Sequence, residues 1–333
     1  MAQFQSTNVT GSLGISGSFL TLSSFTNDQT GSLTGSVGNV WFNLTTGRLN
    51  YTYAFPGTPV WSMGGDLINA RAFSGGAGTQ NSGLAFGGYG LLGSINFTEE
   101  YNGTSWSNGG AMITARRLLA GAGTQNEALA FGGAIPAASS CTEEYDGSSW
   151  SAGGALITAR ASLGGTGTQN EALAFVGVAL SCTEEYNGSS WSSGGALSTT
   201  RYNLAGAGTQ NAGLAFGGGS PNGACTEEYN GTSWSNGGAM ITARRLLAGA
   251  GTQNEALAFG GCSGPSPANT LTCTETYNGL SWSSGGALII GRRGSAGAGT
   301  QNLGLAIGGY TPTTRSSCTE EFSPVNIIQV DSL

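Results

Sequence analysis

The sequence predicts an all-β chain: a six-bladed β-propeller behind a small N-terminal β segment. Three observations carry this prediction. The stretch from Thr98 to Gly133 recurs without a change from Thr226 to Gly261, and looser copies fill the chain around it. A Trp-Ser step leading to a Gly-Gly pair appears at Trp61, Trp106, Trp150, Trp191, Trp234 and Trp282, 41 to 48 residues apart. Within each copy, apolar bursts are short and bounded by Gly, Asn and Ser, the rhythm of short strands and tight turns. Four such strands per unit at this period describe a propeller blade.

Residues 1–58 stand outside the repeat. They contain TGSLGISGS and TGSLTGSVGN, small/apolar alternations punctuated by Gly, and then VWFNLTTGRLNYTY. The last piece reads as a hairpin, with Val40-Trp41-Phe42 facing Leu49-Asn50-Tyr51 and Thr45-Thr46-Gly47 turning between them. The first thirty or so residues have little to bury alone and are expected to order only against a partner chain or a docking surface. Their Gly-punctuated alternation would suit a homotrimeric shaft.

The propeller is expected over 59–322, with 323–333 as a tail. Each Trp is followed by an Arg (Arg71, Arg116, Arg160, Arg201, Arg244, Arg292), then by GTQN, an apolar burst such as ALAFGG, and Thr-Glu-Glu-Tyr or a variant of it. In the second copy the strands are expected at 118–122, 128–131, 141–145 and around Trp150, with Gln125-Asn126 and Asp146-Gly147 turning the chain. Gly-Ala-Gly in the first strand suits the crowded axis, where neighbouring backbones approach closely. Farther out the Tyr, Phe and Trp series fills the widening gap, each ring burying about 150–250 Å². The ends fit together: Trp61 precedes the first inner strand, and the sixth copy lacks a Trp after Phe322. The Trp61 segment is therefore expected to supply the missing outer strand and close the ring.

Composition excludes several functions. Glycine is 60 of 333 residues without a Gly-X-Y period, so the chain is not collagenous. The net charge is -7, the eleven basic residues are all Arg, and no basic run exists, which argues against nucleic acid and anionic membranes as partners. No apolar run approaches the ~20 residues of a membrane helix. Met1 is followed by AQFQSTNVTGS, neither basic nor apolar, so no secretory signal is read there. The Asn-X-Ser/Thr triplets at Asn102, Asn187 and Asn230 fall on repeated turns and read as turn chemistry.

The paired acids are the first candidates for chemistry. Glu99-Glu100 has counterparts in every copy except the fifth, which reads Glu275-Thr276. Adjacent acids on a strand point to opposite faces, and a catalytic site does not need six copies. One Arg per copy supplies the matching cation, so a repeated Arg–Glu bridge within or between blades is expected. Cys141, Cys182, Cys225, Cys273 and Cys318 precede the Thr-Glu strands and read as small buried thiols. Cys262, across a loop from Cys273, could pair with it. With no His and no Cys-x-x-Cys, neither a metal site nor a cofactor is expected.

The copies lose all likeness between the Gly-Gly pair and the Thr-Glu strand. In a four-stranded blade these loops share one face with the connections that follow each Trp, while the opposite face carries the repeated Gln-Asn and Asn-Gly turns. Drift in unimportant loops is one reading. The other is a face diversified for contact, with Tyr89, Leu91, Leu92, Ile135, Tyr310 and Arg315 as anchors.

ALAFGG, TEEYNG and SW, in six copies over 61–322, resemble the kelch repeat family, which implies the same propeller and is silent on activity. The third copy departs from it, with Phe175-Val176-Gly177-Val178 in place of the glycine pair. TGSLGISGS, the VWFNLTTGRLNY hairpin and the GTQN/TEEYNG repeats are similar to tail-fibre and related virion proteins of bacteriophages, marine ones in particular. Asn102-Gly103-Thr104-Ser105-Trp106 resembles the aspartate-box turn of six-bladed sialidases, although only Asp146 supplies the acid. These resemblances imply a non-enzymatic virion protein, located on the extracellular particle, that recognises a host-surface glycan or protein and is held by other virion proteins through its N-terminal segment. A purely architectural virion component and a glycan-cleaving enzyme are the competing classes.

Overall fold

The computed structural model describes residues 60–177, 180–219, 223–264 and 269–323, and outside them the backbone of six strand segments. Every described element is a strand. The chain divides into two compact units, 60–323 and 1–59 with 324–333.

In the smaller unit, Leu13–Ser16 pairs antiparallel with Phe19–Leu22. A four-stranded sheet orders Thr26–Asp28, Val40–Asn43, Arg48–Phe55 and Asn326–Asp331, its first pair parallel. The expected hairpin has the expected register, Val40 opposite Tyr51 and Phe42 opposite Leu49; its turn at 45–47 lies outside the described residues. The stretch expected as a tail contributes a full strand here, from Asn326 opposite Phe55 to Asp331 opposite Asn50. Its Asn-Ile-Ile-Gln-Val-Asp sequence carries the β-branched residues that favour a pleated strand.

The larger unit is a six-bladed β-propeller. Blade 1 comprises Gly75–Thr79, Ser82–Phe86, Thr98–Tyr101 and Trp106–Asn108, hydrogen-bonded in that order. The next four inner strands are Ala120–Gly123, Gly164–Gly167, Ala205–Gly208 and Ala248–Gly251, each followed by three more in the same sequence. Blade 6 takes Ala296–Gly299, Gly304–Ile307 and Thr319–Ser323 from the end of the repeat and Val60–Met63 from its beginning. Phe322 lies opposite Trp61, so the borrowed strand closes the circle as the sequence required.

The axis is built on glycine. A Cβ at Gly121 would fall 2.5 Å from the Gly76 carbonyl, and one at Gly297 would fall 2.4 Å from that of Gly249. No side chain fits there, which is why the inner strands repeat Gly-x-Gly. Blade 3 shows what the missing glycine pair costs: Val176 is held at φ 55, where the other blades place Gly at φ 58 to 70. A β-branched residue in that region is strained, and the register shifts between Phe175 and Gly177.

Four sets of side chains repeat around the ring. Inside each blade, the linker Arg meets the first Glu of the third strand: Arg71–Glu99, Arg116–Glu143, Arg160–Glu184, Arg201–Glu227, Arg244–Glu275 and Arg292–Glu320. Both partners are buried. The carboxylate also accepts linker amides, as Glu99 does from Ile68 and Asn69. Burial pulls Arg71, Arg116, Arg201 and Arg244 below the usual arginine pKa, and the neighbouring glutamates oppose it.

Between blades, each Trp donates Nε1–H to the strand-three Thr of the preceding blade at 2.9–3.0 Å. Each GTQN glutamine donates to two carbonyls of the preceding blade, as Gln125 does to Gly83 and Tyr101. The third latch joins the strand-three Tyr to the second Glu of the preceding blade: Tyr101 to Glu321, Tyr145 to Glu100, Tyr186 to Glu144, Tyr229 to Glu185 and Tyr277 to Glu228, at 2.5–2.6 Å. The junction between blades 5 and 6 lacks it, because Thr276 replaces the Glu and Phe322 replaces the Tyr. The two substitutions meet at a single junction.

Candidate recognition face

The two ends of the propeller differ as the repeat implied. On one end, the Gln-Asn turn of a blade sits against its Asn-Gly turn, Asn81 beside Gly103 and Asn126 beside Gly147. Asn102, Asn187 and Asn230 cap these turns by accepting backbone N–H groups two and three residues on, which is the turn role expected of them. On the other end, the unlike loops pair with the connections between blades. Ala72 bridges Tyr89, Arg117 bridges Ala134, and Arg293 bridges Tyr310.

At the axis of this second end lies a collar. Phe73, Leu118, Ser162, Asn203, Leu246 and Gly294 all have φ between 56 and 60. Each amide donates to the carbonyl of the collar residue in the blade before it, at 2.7–3.0 Å, so the bonds form a closed ring. Five of the six are not glycine. A strained left-handed residue costs of order 1–3 kcal/mol, offset here because each one satisfies two backbone groups that would otherwise end at the axis.

Five of the six loop-face residues anticipated from sequence gather at the junction of blades 6 and 1. Tyr89 and Gly90 pair with Gly93 and Ser94 in a short hairpin whose tip is Leu91-Leu92, 85% and 98% exposed. The hairpin helps to line a cleft of about 520 Å³, together with Ile68, Asn69 and Ala70 of the linker, Thr314 and Arg315 of the blade 6 loop, and Ile95 and Phe97. The isoleucines equivalent to Ile68 at 113, 157, 241 and 289 are also exposed, but none of those blades has a hairpin ending in two leucines.

Beside the cleft runs a stack of alternating charge and ring. The Arg117 guanidinium lies 5.1 Å from the Tyr89 centroid and that of Arg315 lies 4.5 Å from it. Arg315 also lies 5.3 Å from Tyr310, over which Arg293 stands at 5.0 Å. Phe73 of the collar packs against Tyr310 at 5.5 Å. Arg315 Nε and Arg293 Nη1 are buried without a hydrogen-bond partner, and none of the six ion pairs among the described residues engages Arg117, Arg293 or Arg315.

Tyr89, Leu91, Leu92, Tyr310 and Arg315 thus come together, and Ile135 does not. It is 40% exposed on the separate Ala134–Ile135/Ala137–Ala138 hairpin of blade 2. Sequence reasoning missed Arg117 and Arg293. Their signal was the doubled arginine, present in copies two, five and six and replaced by Arg-Ala or Arg-Tyr elsewhere. The Cys262–Cys273 pairing is corrected. All six cysteines are free; the loop register sets Cys262 opposite Thr270, while the Cys273 carbonyl accepts from Gly260.

No protein-family model matches this chain, and no curated protein matches it significantly.

Proposed function

We propose that this is a non-enzymatic recognition protein which contacts a host-surface glycan or protein through the loop face of its propeller. One observation carries the reading: where the loops of blades 1 and 6 depart from the repeat, they set the exposed Leu91 and Leu92 beside Arg315, which none of the ion pairs among the described residues engages. Contact surfaces are enriched in such aromatic, apolar and Arg clusters. The resemblance of the repeats to kelch units and of the quoted segments to phage proteins supports, in this reading, a location on an extracellular virion of tail-fibre type, with other virion proteins holding the N-terminal unit. The near-invariant turns of the opposite face favour a second reading, an architectural component docked on a symmetric neighbour.

The test compares the full chain with a variant whose 89–97 loop is replaced by the 134–141 sequence, on printed arrays of glycans and of cell-surface proteins. Ligands lost on replacement, with an unchanged melting temperature, support recognition by this face. Ligands retained by the variant, or release of reducing sugar from a bound polysaccharide, overturn it.

A further inference from the structure

The recognition reading leaves the class of ligand open. We infer that the cleft and the arginine ladder at the junction of blades 6 and 1 take a polypeptide segment in which a large apolar side chain is flanked by carboxylates. The inference rests on the recognition reading and chooses between its two ligand classes.

Charge is the first ground. Apart from the six ion-paired arginines, the loops and blade connections of this face carry Arg117, Arg245, Arg293 and Arg315, against the single carboxylate of Asp66. The opposite turns carry Glu127, Asp146, Glu171 and Glu255 and no arginine. A chain of net charge -7 therefore presents one locally cationic face. Three of its guanidiniums are separated only by single rings, a spacing within about one Debye length (~8–10 Å). Stacking fixes the plane of the Arg315 guanidinium, whose residue stays partly exposed, and so orients its N–H edges. Such edges suit bidentate carboxylates.

The cleft supplies the second ground. Its lining is mostly apolar, and of its neutral polar side chains Asn69 is already engaged with Glu99. A saccharide buries many hydroxyls that would find few partners here, and unmade hydrogen bonds in a cleft are costly. An apolar side chain needs none. Leu91 and Leu92 stand ready to be covered by it.

The aromatic rings are the third ground. Sugars commonly rest on an open aromatic face, and neither tyrosine of the ladder presents one. Tyr89 is flanked by guanidiniums from the blades on either side, and Tyr310 by two guanidiniums and Phe73.

The experiment selects a random peptide library against the immobilised full chain, with the glycan array run in parallel. The expected consensus is a large apolar residue between Asp or Glu. A synthetic peptide of that consensus should bind severalfold more weakly as salt rises from about 0.05 to about 0.5 M. Arg315→Gln and Leu91→Asp should each lower its affinity roughly 10- to 100-fold, while a charge-reversed peptide with Lys at the acidic positions should not bind. A neutral or basic consensus, or indifference to both substitutions, overturns the proposal. If no peptide is selected but the array yields a glycan lost on loop replacement, the polypeptide inference fails and recognition by this face stands. If neither library yields a loop-dependent ligand, both fail.

Discussion

The junction between blades 5 and 6 offers a test of how the ring is held. At the other five junctions a buried Tyr donates to a Glu of the preceding blade, and the same hydroxyl lies within reach of a linker amide, as Gly65 N is 3.2 Å from Tyr101 Oη and Gly110 N is 3.3 Å from Tyr145 Oη. The glycine before that amide makes room: a Cβ at Gly64 would meet the Tyr101 hydroxyl at 2.8 Å and Glu321 Oε1 at 3.1 Å. At the exceptional junction the corresponding Gly285 faces only Thr274, so the space for the pair exists and is unused. Thr276→Glu with Phe322→Tyr should install it. A hydroxyl-to-carboxylate bond contributes about 1.5–3 kcal/mol and a neutral one about 0.5–1.5, against about 1.5–2 kcal/mol of rotamer freedom lost by the new Glu. The expected coupling is about 1–2 kcal/mol, or about 2–8 °C in melting temperature at ~2–4 °C per kcal/mol for a unit of this size. Phe322→Tyr alone should be near neutral, because its proton has no carboxylate. Thr276→Glu alone should destabilise slightly. Urea unfolding of the wild type, both singles and the double gives the coupling directly. A value within about 0.5 kcal/mol of zero would mean that the Tyr–Glu contacts elsewhere are incidental, and the latch argument would fall.

Three further expectations follow from the same contacts. Trp61→Ala removes a buried ring that packs 5.0 Å from Phe259 and 5.1 Å from Phe322 and donates to Thr274; calorimetry should show a loss of about 3–5 kcal/mol, and deletion of residues 1–65 should lower the melting temperature far more, since it opens blade 6. Arg160→Met should cost about 3–5 kcal/mol by stranding Glu184, whereas Arg160→Met with Glu184→Leu should recover much of that loss; equal damage from both variants would contradict the ion-pair account. Tyr101, Tyr145, Tyr186, Tyr229 and Tyr277 are pushed from 10.0 up to about 12, first by burial and then by the adjoining carboxylate. A raised folded-state pKa leaves their contribution intact below pH 10 and removes it as pH rises through about 12. The urea midpoint should therefore fall across that window together with the rise of tyrosinate absorbance, and less steeply in Tyr145→Phe.

Much of the fold was legible because the chain repeats itself. Six Trp, six Arg and six GTQN elements fixed the blade count, and the unpaired Trp61 at one end with the missing Trp at the other fixed the closure. The contacts between blades were harder to read. Gln80 and its counterparts looked like turn residues, and only the structure shows each reaching back to the previous blade. Yet the joint departure of Thr276 and Phe322 was visible in the letters, and two exceptions among otherwise regular copies already imply a shared contact. The site was legible in kind rather than in place. Loop divergence singled out one face, but sequence alone does not tell which loops become neighbours in a closed ring. Tyr89 and Tyr310 lie at opposite ends of the repeat and meet only because the circle closes.

That geometry separates stability from recognition in a way that can be measured. Every latch residue serves two blades, so a change there must be answered across the junction, as Thr276 and Phe322 answer each other. A loop residue serves mainly its own blade and its nearest neighbour, and its loss is absorbed locally. Leu92 is 98% exposed, so Leu92→Asp should alter unfolding free energy by no more than about 0.5 kcal/mol. Arg315→Gln forfeits two cation–π contacts of roughly 0.5–1 kcal/mol each and leaves the blades joined. Both variants should keep the wild-type far-UV spectrum and a melting temperature within a few degrees, yet lose the loop-dependent ligand. Trp106→Phe, which deletes the hydrogen bond to Thr319 and keeps most of the ring, should do the reverse, melting lower while binding as before below its transition. If the loop variants instead unfold as readily as the latch variant, the hairpin and ladder are structural members of the ring, and the case for a recognition surface fails with them.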